Sequence, residues 1–385
     1  MKVAYLGKIQ LCDVDFSYLH EAQQMGDITY ILEVNPRFMR GPALNLQKLH
    51  PKSGLFKAVD IYPEFNSLAG FIDLDKCYVI NTVGRVWLLK SFWTYFILLR
   101  FLLLHKFTAI HLVWPPNIYE FVLYILRKRM ILTVHDPINH EGFEKGIVRL
   151  RRLVAFKLVP NFIICNKAQK QEFIDFYRIN PERVFVSRLS CYTYLNTVVP
   201  QHTNIPPKDS FILFAGRIST YKGLDFLLPA MKKVHAQHQE CKLVVAGKGP
   251  FHFDISPYRQ LDYIDIRHRF IPDNELVALI KNCIFMVCPY TNATQSGVIM
   301  SSFAFNKPVV ATDVGGLPEM VKHNHYGLIV KNQDTDELAN TISMLLENTD
   351  MVEAMSKEIE KDYQNGVFSW RKTAEEIVSI YKRFS

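Results

Sequence analysis

The chain has 385 residues, 49% hydrophobic and 21% charged, with a net charge of +8. That length suits two domains, each with its own core, and that composition excludes a disordered, fibrous or disulfide-scaffold protein. The basic excess is one-sided: residues 1–200 hold 25 Lys+Arg against 16 Asp+Glu, net +9, and residues 201–385 hold 20 against 21, net −1.

The opening MKVAYLGKIQLCDVDF is too short in its apolar run, and too soon interrupted by Lys8, Asp13 and Asp15, to read as a signal peptide. The seven cysteines show neither CxxC pairs nor Cys/His clusters at zinc spacing. They read as reduced thiols in a reducing compartment, hence a cytoplasmic protein. The first half alternates strand-like and helical patterns. Val3–Leu6, Ile28–Val34, Ala109–Trp114, Met130–Val134, Asn161–Cys165 and Arg183–Val186 are strand candidates, with a helical pattern over Tyr119–Arg129. Trp87–Leu104 is the longest apolar stretch. Lys90 and Arg100 interrupt it, so it is not a membrane span. It reads either as a buried helix of an α/β domain or as a helix lying in a membrane interface. Gly146–Val159 carries Arg149, Arg151, Arg152 and Lys157 between apolar residues, the pattern of a basic amphipathic helix. With the net +9 these segments allow peripheral contact with an anionic inner-leaflet surface. No nucleic-acid recognition motif accompanies the charge.

His135 follows the run Met130–Val134 directly, with Asp136 beside it. A histidine at the C-terminal end of a parallel strand stands where ligands bind in open α/β sheets. The alternative is a structural histidine. Thr197–Ser210 (TVVPQHTNIPPKDS) has three prolines and little periodicity, and reads as a linker. Alternation restarts after it: strands Phe211–Phe214, Lys242–Ala246, Phe285–Cys288 and Pro308–Ala311, with helices over Gly223–His235, Asn274–Lys281 and Gly297–Phe305. Two such units imply parallel sheets whose facing edges form one cleft.

Four strand ends of the second half carry candidate chemistry. FILFAGRISTYKGL runs from a strand into Gly216, Arg217, Lys222 and Gly223 before a helix. Glycine lets backbone amides approach an anion, the helix end favours negative charge, and Arg and Lys add two cations, together a diphosphate clamp. KLVVAGKGP ends a strand in Gly247, Lys248 and Gly249, a turn that gains meaning from its position beside the first. VCPYTNATQSGV places Thr294, Gln295 and Ser296 before Gly297 and Val298, where hydroxyls and an amide meet a helix N-terminus, or simply cap it. PVVATDVGGLPEMV turns tightly at Gly315-Gly316.

Taken together and in order, FAGRISTYKGLDFLL, VVAGKGP, ATQSGV, KPVVATDVGGLPEMV and GLIV resemble the group 1 (family 4) retaining glycosyltransferases over roughly residues 211–345. The resemblance implies the GT-B fold, two Rossmann-like parallel-sheet domains facing a central cleft. Its domains would be residues 1–200 plus the C-terminal helix 367–385 on the acceptor side, and 205–366 for the nucleotide-sugar donor. It implies that Arg217 and Lys222 hold the donor diphosphate, that Gly216 lets that loop approach, that Gly297 and Val298 form the helix end behind the phosphates, and that His135 faces the donor sugar. The family works without a metal ion or other cofactor. Its usual pair of glutamates is replaced here by Thr294 and Ser302, so sugar preference is not carried over. The glycine-rich loop that usually follows the first strand is also absent; LCDVDFSYLHEAQQMGD stands there. The expected activity is transfer of a hexose-type sugar from a UDP- or GDP-linked donor to a glycan or lipid-linked acceptor in surface polysaccharide synthesis. A sugar-nucleotide epimerase and a non-catalytic scaffold of the same fold are the alternatives.

Overall fold

The structure, a computed structural model, describes residues 1–83, 89–135, 146–165, 167–201 and 204–383. The chain forms two compact units, Met1–Leu189 with Trp370–Ser385, and Ser190–Ser369.

Unit 1 is built on eight strands: β1 Lys2–Lys8, β2 Asp27–Val34, β3 Gly54–Lys57, β4 Cys77–Asn81, β5 Ala109–Leu112, β6 Met130–Val134, β7 Asn161–Ile164 and β8 Val184–Val186. Their order across the sheet is β3-β4-β2-β1-β5-β6-β7-β8. All neighbours are parallel except β3 and β4. Parallel strands are covered on both faces, so they are apolar nearly throughout; in β2 every residue after Asp27 is buried. The strands β3 and β4 are absent from the sequence reading, being short and bounded by charged loops. The C-terminal helix Trp370–Lys382 belongs to this unit and is tied to it by polar contacts as well as apolar ones. Tyr381 Oη lies 2.5 Å from His111 Nδ1 on β5, and the Tyr18 hydroxyl donates to it over 2.9 Å.

The apolar stretch at 87–104 forms the helix Leu89–Leu104 (Trp87 lies outside the described residues). Tyr95, Leu98, Leu99 and Leu102 recur at helical spacing and are buried in the core of unit 1. Its opposite face is apolar too, and exposed: Trp93 is 70% accessible and Leu104 64%. The helix Ile147–Leu158 buries Arg152, Ala155 and Phe156 and exposes Leu150 and Leu153. Among the described residues no helix is long and apolar enough to cross a membrane.

Unit 2 has six parallel strands: β9 Phe211–Ala215, β10 Lys242–Gly247, β11 Ile264–His268, β12 Met286–Cys288, β13 Val309–Thr312 and β14 Gly327–Val330, in the order β11-β10-β9-β12-β13-β14. Its core joins strand residues such as Ile212, Phe214, Leu243 and Val310 to Leu227, Met231 and Ile342 of the covering helices. The change of unit falls at Leu189/Ser190 and Ser369/Trp370, whereas the resemblance implied bounds at 200–205 and 366/367. The proline-rich segment lies inside unit 2. Its remaining amides hold it there, Gln201 N donating to Asn274 O over 2.9 Å and Asp209 N to Asn282 O over 2.8 Å. Proline-rich composition marks backbone without a ladder, which a surface loop of one unit satisfies as well as a linker does.

Candidate functional site

The sheet of unit 2 presents its carboxyl-terminal edge as a set of interlocked loops. Beyond β9 and β10 the two chains stay joined: Gly216 N donates to Ala246 O and Ile218 N to Lys248 O, each over 3.0 Å. A Cβ on Gly247 would collide with the Gly216 carbonyl, and one on Gly249 with the Ile218 carbonyl. Only hydrogen fits there, which explains why the second loop reads Gly-Lys-Gly. Gly223 has φ of 67° and backs onto the Pro289 carbonyl, a conformation glycine adopts without strain. Thr291 N donates to Tyr221 O over 2.8 Å and Gly316 N to Ala293 O over 3.2 Å. The loops holding Arg217–Gly223, Gly247–Gly249, Thr291–Gly297 and Gly315-Gly316 therefore form one continuous surface of unit 2.

Three cations stand on that edge. Arg217 and Lys248 are exposed, at the ends of β9 and β10. Lys222 closes a short turn, Thr220–Lys222, and is only 8% exposed. Its Nζ sits 3.6 Å from the ring centroid of Tyr290 and 5.2 Å from that of Tyr221, a cation held over aromatic faces. Burial, with the nearby Arg217 charge adding to it, lowers the ammonium from its usual 10.5 to about 8, against a raising influence from Cys288. Among the described residues no carboxylate pairs with Arg217 or Lys222. Two cations without an anion of their own, one of them partly desolvated, make a place for anionic oxygen.

Beside them the helix Gly297–Phe303 begins. Ser296 is its cap: its Oγ accepts from Ile299 N over 3.4 Å and donates to the Tyr290 hydroxyl over 3.3 Å. Thr294, Gln295, Gly297 and Val298 are half-buried along the same turn. Tyr290 thus supports both Lys222 and Ser296, and its own carbonyl accepts from Thr312 Oγ1. Sequence reasoning passed over it, although an aromatic directly before a polar loop, near a candidate phosphate-binding lysine, was the available signal. His268 was also missed; at the end of β11, its Nε2 lies 2.6 Å from the Gly249 carbonyl.

Ser302, one of the two positions where the family carries glutamate, is fully buried and donates to Lys307 O over 2.8 Å. Its hydroxyl is committed to the end of its own helix and cannot reach a ligand. Thr294, at the other position, is half-buried in the loop before the helix. His135 is in unit 1, one residue beyond β6. It is half-buried, its Nδ1 is 4.0 Å from Cys165 Sγ, and it lines a small cavity of about 60 Å3 with Thr133, Arg151 and Arg152. Asp136 lies outside the described residues. Of the proposed site residues, all but His135 are thus gathered on one edge of unit 2.

Two parallel-sheet α/β units, one ending in a glycine-lined, cation-bearing strand edge, define the GT-B class. Residues 197–362 match the model of the family described as glycosyl transferases group 1. Over that segment, less than half of the chain, the protein is similar to the group 1 glycosyltransferases. An uncharacterized glycosyltransferase of Methanocaldococcus jannaschii is 32% identical over 45% of this chain and 45% of its own length. A D-inositol 3-phosphate glycosyltransferase of Corynebacterium efficiens is 28% identical over 60% of this chain and 59% of its own. The match therefore spans roughly half of each of these relatives. In fold the whole chain is similar to HepE of Anabaena, solved in complex with UDP, with a TM-score of 0.68, 16% identity and full coverage of both chains.

Proposed function

We propose that this protein moves a hexose-type sugar from a nucleoside diphosphate sugar, UDP- or GDP-linked, to a glycan or lipid-linked acceptor, with retention of configuration and without a metal ion. The observation that carries the reading is the pair Arg217 and Lys222. Among the described residues both lack a carboxylate partner, and both stand where glycine permits close approach of backbone to ligand. The acceptor hydroxyl oxygen bonds the anomeric carbon as its bond to the diphosphate oxygen breaks. The hydroxyl proton passes to the departing diphosphate. The charge that grows on that diphosphate meets Arg217, Lys222 and the amides at Gly297 and Val298, so these groups act most strongly in the transition state. Thr294, Gln295 and Lys248 are assigned to the donor as hydrogen-bonding groups, and His135 is the residue of unit 1 assigned to the donor sugar. UDP is the first donor base to test, because the similar HepE chain has been solved with UDP-glucose. The exposed apolar face of Leu89–Leu104 and the basic helix Ile147–Leu158 support peripheral contact with an anionic cytoplasmic membrane face, the setting of surface polysaccharide synthesis.

The test is a thermal-shift screen of UDP, GDP, ADP and their sugar conjugates on the wild type and on Arg217→Ala/Lys222→Ala. A ligand of the folded state raises the midpoint by mass action. One nucleotide class should stabilise the wild type and leave the double variant unmoved. No response to any nucleotide would sink the reading. A scaffold without turnover is the second reading, favoured by the burial of Ser302. Donor binding with neither hydrolysis nor transfer, across a panel of sugars, would establish it.

A further inference from the structure

His111 stands on β5, every residue of which is buried, and is itself 1% exposed. Both of its ring nitrogens are used. Nδ1 lies 2.5 Å from Tyr381 Oη on the C-terminal helix, and Nε2 lies 2.7 Å from Thr133 Oγ1 on β6. The Tyr381 hydroxyl is met in turn by that of Tyr18 over 2.9 Å. Tyr5 of β1 packs edge-on against the imidazole, with ring centroids 4.8 Å apart. Burial pushes His111 down to about 3, with nearby His135 adding to it, so the imidazole is neutral near pH 7. A neutral imidazole has one donor and one acceptor. The proton on one ring nitrogen therefore decides which way the hydrogen bonds run at the other, and Tyr381, His111 and Thr133 act as one chain.

The cost of this arrangement points to a role. Tyr18, His111, Thr133 and Tyr381 are all buried, although the same helix already packs through Ala374, Ile377 and Val378. Burying polar groups is unfavourable unless their partners are met, and a network that meets them specifies one arrangement where apolar packing tolerates several. What is specified lies at the Thr133 end. Thr133 and His135 are two residues apart, and both line the cavity of about 60 Å3 with Arg151 and Arg152. On its other side His135 Nδ1 is 4.0 Å from Cys165 Sγ, just beyond β7. The end of β6 is thus gripped from both neighbouring strands, from β5 through His111 and from β7 through Cys165. The C-terminal helix begins where the chain crosses from unit 2, at Ser369/Trp370, and Tyr381 lies in its last turn. The segment that leaves unit 2 therefore reaches the strand end carrying His135 through three side chains.

We propose that Tyr381, His111 and Thr133 are positioning residues for His135: docking of the last turn of the C-terminal helix fixes the end of β6, through the His111 imidazole and the Thr133 hydroxyl, and so sets where the His135 ring stands. The three act through His135 and not on the donor. The catalytic consequence rests on the transferase reading, which assigns His135 to the donor sugar. The link from helix to His135 rests on the geometry of unit 1 alone.

The experiment uses the full chain with UDP-glucose as donor probe and water as acceptor. The water oxygen bonds the anomeric carbon as the bond to the diphosphate breaks, giving glucose and UDP and releasing one proton. The variants are Tyr381→Phe, Thr133→Val and Thr133→Ser. The readouts are kcat and KM, the melting midpoint, and the imidazole resonances in 1H–15N spectra, with those of His135 assigned by their loss in His135→Gln. Tyr381→Phe and Thr133→Val should lower kcat at least about tenfold, because misplacing a catalytic group by about 1 Å costs up to roughly 100-fold. KM should stay within about twofold, the mark of an interaction made in the transition state. Both variants should move the His135 resonances and leave those of His323 in unit 2 in place. Thr133→Ser, which restores the hydroxyl, should recover most of what Thr133→Val loses. Should Tyr381→Phe fail to fold, the two Thr133 variants decide the matter. The proposal is overturned if the variants melt earlier yet keep the His135 resonances where the wild type has them, or if Thr133→Ser behaves as Thr133→Val. The wild-type rate is read separately: hydrolysis of neither UDP-, GDP- nor ADP-glucose would count against the transferase reading, while the ring resonances would still decide the positioning of His135.

Discussion

The two sheets end in opposite ways. In unit 2 the loops beyond β9, β10 and β12 are joined by backbone hydrogen bonds and by glycines whose neighbours are carbonyls. In unit 1 the corresponding ends are held by side chains. Lys8 bridges Glu33 and Glu120, and Asp15 accepts from Tyr5 Oη over 2.8 Å and Tyr30 Oη over 3.0 Å. A backbone-lined edge offers amides and room, which suits a diphosphate whatever sugar it carries. A side-chain-lined edge is particular to its ligand. The contrast sets a backbone-lined edge in unit 2 against a side-chain-lined edge in unit 1.

The largest effect that would break this comparison comes from the cations of unit 2. Arg217→Ala/Lys222→Ala should weaken UDP by roughly 100-fold or more, two charged hydrogen bonds at about 1.5–3 kcal/mol each, measured by calorimetry. Lys222→Met, which keeps the packing on Tyr290, separates charge from structure and should account for roughly half of the loss in free energy. If neither change matters, the edge of unit 2 is not the donor site. Next in size is Gly223→Ala. Its positive φ and the collision with the Pro289 carbonyl should lower stability by at least about 1–3 kcal/mol, seen as a lower denaturation midpoint. An unchanged midpoint would show that the loops of unit 2 are not held by backbone contact.

Unit 1 supplies a pH test. Burial raises the Asp15 carboxyl from 3.8 to about 8, opposed by hydrogen bonds from Tyr5 and Tyr30. A carboxyl raised on folding gives stability that is full below about 4 and is lost as pH rises through about 8. The wild type should therefore unfold more readily above pH 8 than at pH 5, and Asp15→Asn should flatten the profile in urea titrations. Unit 2 has a smaller dependence, in its ligand affinity and in the same direction. Because Lys222 is lowered to about 8, UDP affinity should fall as pH rises through that value, and Lys222→Arg should remove the fall. The smallest effect concerns the membrane. Trp93→Ser should leave stability within about 0.5 kcal/mol, as an exposed residue does, while reducing co-sedimentation with anionic vesicles. Equal sedimentation of both proteins would remove membrane contact through this helix.

Much of unit 2 was readable without coordinates, since its glycines and cations lie within short segments at strand ends and each segment carries its own meaning. Strand–helix alternation was readable too, because periodicity is local. Two strands of unit 2, β11 and β14, escaped notice. β11 is only partly buried and carries Asp265 and Arg267, so its pattern is not that of a central strand. The commitment of Ser302 to Lys307 O, the pairing of Tyr381 with His111 across 270 residues of chain, and the meeting of Lys8, Arg37, Trp114 and Arg151 around one cavity were decided by tertiary structure. Those groups are far apart in the chain, and no spacing rule links them. The amino-acid sequence by itself determined the fold class and the strand-end motifs of unit 2, because backbone conformation at glycine and charge at a strand end are properties of a few neighbouring residues. Which side chains are buried, paired or left facing a cavity depended on how distant strands were ordered in the sheet, and only the folded chain decided that.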